Sequence, residues 1–144
     1  MLSLGMDIGT STVKLVLLKN QEIEKQWMAV HHGRPFACLK KGLSALELDA
    51  DTPFSLCVTG SNTEALLEQA PDIPSFGDIP AVVEGVRQIV PQAGSVIEIG
   101  SQGARFITDL QSRAPQFAVN EHCAGGTGSF FEDQMSRVGC RLGD

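Results

Sequence analysis

The most constraining stretch is residues 2–18, LSLGMDIGTSTVKLVLL, in which apolar runs at 4–8 and 13–18 flank Gly9, Thr10, Ser11 and Thr12. Aliphatic and β-branched runs broken by small polar residues predict two strands joined by a tight turn. The turn carries unusual chemistry. Asp7 closes the first strand, Gly9 and three hydroxyls follow, and Lys14 stands just inside the second strand. A glycine lets backbone N–H groups approach an anion closely, while hydroxyls and an ammonium add donors. A carboxylate repels a bare phosphate but suits one that arrives with a hydrated divalent cation. Two readings are open on these residues alone. One is ordinary turn chemistry. The other is a phosphate cradle of Gly9, Thr10, Ser11, Thr12 and Lys14, with Asp7 facing Mg²⁺ through water.

Residues 7–14, Asp-Ile-Gly-Thr-Ser-Thr-Val-Lys, resemble the first phosphate motif of the actin-like ATPase superfamily, which includes sugar kinases, actin and heat-shock chaperones. The resemblance implies an α/β fold with a mixed sheet, of the actin-like (ribonuclease H-like) kind. It also implies ATP or ADP with Mg²⁺ as ligands.

The 144 residues suit one domain of ordinary size, and 42% hydrophobic content is enough for a core. The net charge is −6 and no basic run is longer than Lys40-Lys41, a poor composition for binding duplexes or membrane surfaces. Nucleic-acid and membrane partners are therefore not expected. No apolar run approaches the ~20 residues that span a bilayer, and a strand directly follows Met1, so the cytoplasm is the expected compartment. Cys38, Cys57, Cys123 and Cys140 show no CxxC or Cys/His zinc spacing and are expected to be free thiols or ligands.

Along the chain, residues 21–30 predict a third antiparallel strand, and His31-His32-Gly33-Arg34-Pro35 a solvated connector. Residues 36–48 have helical spacing at Phe36, Leu39, Leu43 and Leu46, and 54–59 predict a short buried strand. The loop 60–63 follows that strand, a favoured ligand position in α/β sheets, with Ser61 or Asn62 as cap of a helix at 64–69. A helix is expected at 79–90, beginning near Pro80. From Gly94 the pattern restarts with strands at 95–100, 104–110 and 116–119, then a helix at 129–138. The order strand, acid, glycine, polar residues and strand echoes the opening hairpin, which suggests duplicated domains. The expected division is 1–93, a first actin-like subdomain, and 94–144, the beginning of a second. Further βα units would be needed to close that second sheet, so the sequence is expected to be the amino-terminal part of a longer protein. A complete small domain, its last helix packed on both hairpins, is the alternative.

Residues 119–128, VNEHCAGGTG, form the most specific run. A cysteine just before a helix amino terminus meets unpaired N–H groups and the positive end of the helix dipole, which lowers its pKa. Gly125, Gly126 and Gly128 leave room beside the backbone, and Thr127 is placed to cap the following helix. Such a thiolate suits a soft metal or an iron–sulfur cluster; a glycine-rich loop with a bystander cysteine is the plainer alternative.

Asn-x-x-Cys-Ala-Gly-Gly-Thr-Gly, after a strand–turn–strand, resembles the activators of 2-hydroxyacyl-CoA dehydratases and the ATPase subunits of benzoyl-CoA reductase. In that family two subunits share one 4Fe–4S cluster at their interface. The resemblance implies a homodimer with Cys123 as a cluster ligand and Gly126, Thr127 and Gly128 beside it. The family's second cysteine has no counterpart here, Cys140 standing too close, so these residues alone are expected to lack the cluster. The family's second phosphate motif, Asp-Ile-Gly-Gly-Gln-Asp, corresponds to Glu98-Ile99-Gly100-Ser101-Gln102-Gly103. Glu98 would reach Mg²⁺, Gly100 and Ser101 would line the phosphate, and Gln102 would position the attacking water or contact the γ-phosphate. Ser101 and Gly103 depart from the motif and weaken the case for hydrolysis.

The leading expectation is an ATP-dependent activator that delivers low-potential electrons from a shared 4Fe–4S cluster to a 2-hydroxyacyl-CoA dehydratase or related reductase. ATP would lie between two actin-like halves, and the 144 residues alone would show weak or absent ATPase activity. The alternatives are a sugar kinase-like phosphotransferase and a non-catalytic dimerising scaffold.

Overall fold

The computed structural model describes residues 1–49, 51–100, 103–120 and 127–140. The chain forms two compact units, Met1–Ala81 and Val82–Asp144.

In the first unit, β1 (Leu2–Ile8), β2 (Thr12–Lys19), β3 (Glu22–Val30) and β4 (Phe54–Thr59) form one mixed sheet in the order β3-β2-β1-β4. Strands β1 and β2, and β2 and β3, run antiparallel, whereas β1 and β4 run parallel. The period-2 alternation sends Leu4, Met6, Ile8, Val13, Leu15 and Leu17 into the core. Asp7 and Lys14, being of the other parity, stand on the opposite face. Asn20 and Gln21 both take positive φ, 54° and 72°, and close the β2–β3 hairpin within two residues.

Helix α1 (Pro35–Ala45) lays Cys38, Leu39 and Gly42 on the core face of the sheet. It ends before the expected Leu48 because Glu47 takes φ +50°. Lys25 Nζ donates to the freed Leu46 carbonyl at 2.7 Å, a cation at the negative end of the helix. Before β4, Asp49 accepts from the Asp51 N–H and the Thr52 hydroxyl, bonds that hold its carboxyl below the usual carboxylate range. Helix α2 (Glu64–Gln69) follows β4.

Helix α3 (Asp78–Ile89) contributes to both units. The second unit adds β5 (Ser95–Ile99), β6 (Ala104–Thr108), β7 (Gln116–Val119) and α4 (Thr127–Arg137). The strands make an antiparallel sheet in the order β5-β6-β7. Among the described residues of this unit, Ile107 of β6, Val83 of α3 and Leu110 after β6 are the buried apolar ones. Arg87 fastens α3 to the turn after β6, donating to the Leu110 and Ser112 carbonyls at 2.6 Å each. Among the described residues no helix is long and apolar enough to cross a membrane.

Candidate functional site

The parallel β1–β4 pairing brings the carboxyl ends of both strands side by side, so the loops after Ile8 and Thr59 meet. In α/β sheets this is where ligands are held. Asp7 and Lys14 are directly opposite in register, and Lys14 Nζ lies 2.8 Å from Asp7 Oδ2. The two side chains are 31% and 49% exposed, so this pair adds little stability and its value is placement.

The turn closes through a bond from the Gly9 N–H to the Thr12 carbonyl, 3.0 Å. Its return bond is missing. No backbone N–H of the described residues reaches the Gly9 carbonyl. That oxygen accepts instead from Asn62 Nδ2 at 2.7 Å and from the His31 ring Nε2 at 3.2 Å. The N–H groups of Thr10 and Ser11 have no partner among the described residues. Two adjacent unpaired amides, two hydroxyls and a nearby ammonium form a donor set that suits a phosphate. The Asp7 carboxylate beside Lys14 suits the hydrated cation that accompanies a nucleoside polyphosphate.

The second loop braces this turn. The Asn62 N–H donates to the Ile8 carbonyl at 2.9 Å, and the Thr10 and Ser61 hydroxyls lie 2.9 Å apart. Gly60 takes φ +108°, and a Cβ there would fall 2.5 Å from the Ile8 backbone and 2.7 Å from Asp7 Oδ1. Asp78 Oδ1 accepts from the Gly60 N–H at 3.1 Å and from the Thr59 hydroxyl at 3.3 Å.

His31 corrects the expectation of a solvated connector, being only 8% exposed. Its partners determine its tautomer. The Gly33 N–H can only donate, so Nδ1 accepts it at 3.1 Å. The Gly9 carbonyl can only accept, so Nε2 carries the proton. Neither Ser61 nor Asn62 caps α2. Its N-cap is Thr63, which makes no capping bond and whose hydroxyl donates to the Gly60 carbonyl at 3.0 Å. Asn62 is drawn to Gly9 instead, a demand that the sequence around position 62 does not display.

The second unit repeats the motif locally. Glu98 on β5 stands opposite Arg105 on β6, Oε2 to Nη1 2.9 Å. The Gly100 N–H donates to the Gly103 carbonyl at 2.8 Å, as Gly9 does to Thr12. In both hairpins the paired acid and base lie seven positions apart. Arg105 therefore occupies the place of Lys14, which the echo of strand, acid and glycine did not single out. The expected site residues Ser101, Gln102, Cys123 and Gly126 lie outside the described residues. Thr127 and Gly128 begin α4. Among the described residues no group of three or more His, Cys, Asp and Glu stands together to hold a metal ion. Cys38, Cys57 and Cys140 are free thiols, Cys38 being buried on the core face of α1.

No family model matches the chain. It is 30% identical over 143 residues to an activator of lactoyl-CoA dehydratase from Anaerotignum propionicum, covering 96% of this chain and 54% of the relative. It is 29% identical over 143 residues to a 2-hydroxyisocaproyl-CoA dehydratase activator of Clostridioides difficile, covering 96% and 52%. A solved structure of the activator of that dehydratase from Clostridium difficile, with bound ADPNP, superposes with a TM-score of 0.74. That match has 26% identity and covers 96% of this chain and 53% of the other. The chain thus spans about half the length of the relatives it matches. Kinship along nearly all of its residues, joined to a common α/β fold, makes this chain similar to about half the length of the 2-hydroxyacyl-CoA dehydratase activators and gives it their actin-like fold.

Proposed function

We propose that the protein takes part in ATP-dependent activation of a 2-hydroxyacyl-CoA dehydratase or a related reductase. The observation that carries this is the repeated hairpin, Asp7 with Lys14 and Glu98 with Arg105, each closed by a glycine N–H. Phosphoryl transfer rests on positioning and charge stabilisation, and such hairpins supply both. In the first, Gly9, Thr10, Ser11, Thr12 and Lys14 hold phosphate oxygens, and Asp7 holds Mg²⁺ through water. In the second, Glu98, Gly100 and Ser101 face phosphate and cation, and Gln102 orients the attacking water. Residues 1–93 and 94–144 belong to two actin-like subdomains in this proposal.

The finer part of the proposal is electron delivery by a homodimer. Cys123, with Gly126, Thr127 and Gly128 beside it, is the residue assigned to a 4Fe–4S cluster, which supplies a low-potential electron when bound. Free Cys38, Cys57 and Cys140 suit a reducing compartment such as the cytoplasm.

The test is calorimetry of Mg-ADPNP binding by the protein beside an Asp7→Asn variant. The variant keeps its fold, since the exposed Asp7–Lys14 pair contributes about 1 kcal/mol at most. It loses Mg-dependent affinity by about tenfold or more, because a neutral amide holds the hydrated cation poorly. Equal Mg-ADPNP affinity in the two proteins would remove Asp7 from the site.

A further inference from the structure

We propose that His31 and Asn62 are positioning residues that clamp the Gly9 carbonyl and thereby aim the Thr10 amide at bound phosphate; this rests on the nucleotide reading above. A tight turn usually closes with two backbone bonds, and here the second has been replaced by two side chains. Asn62 Nδ2 and His31 Nε2 approach the same oxygen, at 2.7 and 3.2 Å, from positions 53 and 22 residues away. In a trans peptide the carbonyl and the next N–H point in opposite directions. Holding the Gly9 oxygen toward the buried imidazole therefore turns the Thr10 N–H away from it, where it has no partner among the described residues. Without the clamp the Gly9–Thr10 peptide is free to rotate, and the turn can take its ordinary closed form with the Thr12 N–H on Gly9.

The imidazole of the clamp is itself held at both ring nitrogens. Nδ1 is occupied by the Gly33 N–H and Nε2 by the Gly9 carbonyl, so the ring is used as one neutral tautomer with both nitrogens engaged. Asn62 is held in turn by its own backbone, whose N–H donates to the Ile8 carbonyl. Neither side chain touches phosphate in this scheme. Both act through the peptide.

The experiment uses Asn62→Asp, which points an acceptor at the Gly9 carbonyl in place of a donor. Thr63→Ala is the control, since it removes a bond to Gly60 in the same loop without touching Gly9. Amide signals of Thr10 and Ser11 are followed in the nucleotide-free protein, and Mg-ADPNP affinity is measured in parallel. In Asn62→Asp the Thr10 amide signal moves and affinity falls about tenfold or more, while Thr63→Ala stays within about twofold of wild type. His31→Gln, which keeps an N–H for Gly9, retains more affinity than His31→Leu. An unmoved Thr10 signal, unchanged affinity in Asn62→Asp, or an equal loss in Thr63→Ala each overturns the clamp. Failure of the wild-type protein to bind Mg-ADPNP overturns the nucleotide reading itself, and the role of the Thr10 amide with it.

Discussion

Gly60→Ala lowers the midpoint of thermal unfolding by about 10 °C or more, the largest effect expected of a single methyl added at any described glycine. Two costs combine. The residue takes φ +108°, where an L side chain is strained by about 1–3 kcal/mol. The added Cβ also falls 2.5 Å from both the carbon and the oxygen of the Ile8 carbonyl, and 2.7 Å from Asp7 Oδ1. Backbone atoms of a central strand cannot step aside, so overpacking adds about 1–3 kcal/mol. Against a typical total of about 5–15 kcal/mol, that is a large share. The natural comparison is Gly85→Ala, in the middle of α3, where a Cβ meets nothing within 4 Å. There the substitution stabilises by about 1 kcal/mol through helix propensity. Equal midpoints for Gly60→Ala and wild type would mean that the loops after β1 and β4 are not pressed together as described.

The division between what could and could not be read from sequence follows the range of the forces involved. β1 and β2 are legible because burial alternates within each segment, so Leu4, Met6 and Ile8 announce their face without reference to anything distant. The Asp7–Lys14 opposition is legible for the same reason, being a short-range consequence of a tight hairpin. Its counterpart Glu98–Arg105 has the same spacing, but acid and base seven residues apart mean little until a turn of known length is placed between them. His31 and Asn62 were out of reach. Their shared partner is one carbonyl oxygen, 22 and 53 residues away, whose need for donors arises only because its turn forgoes a backbone bond. The early end of α1 is similar, since the Leu46 carbonyl it leaves free is met by Lys25 of β3, 21 residues away in sequence. The cysteine loop that narrows the family most sharply, residues 121–126, lies outside the described residues, so its role rests on sequence alone.

The contact between α1 and the sheet supplies the other large expected effect. Leu15 is fully buried at the centre of β2, paired in register with Met6 on one side and Trp27 on the other. Truncating it to alanine costs about 2–5 kcal/mol, from lost burial and the cavity left behind. Gly42 sits in the helix above it and is buried. A Cβ at position 42 would fall 2.5 and 2.6 Å from ring carbons of Trp27 and 2.7 Å from Leu15 Cδ1. Alanine gains about 1 kcal/mol of helix propensity over glycine, yet forcing α1 off the sheet costs about 1–3 kcal/mol. Gly42→Ala is therefore expected to be net destabilising despite the better helix former. Combining the two substitutions separates sterics from propensity. With Leu15 shortened, the indole of Trp27 can move into the vacated space and the new methyl fills part of the cavity. The double variant is then more stable than the sum of the single effects by about 1 kcal/mol or more, measured by urea unfolding of all four proteins. Additivity within about 0.5 kcal/mol would show that the close approach of helix and sheet at Gly42 is not what makes a side chain there costly.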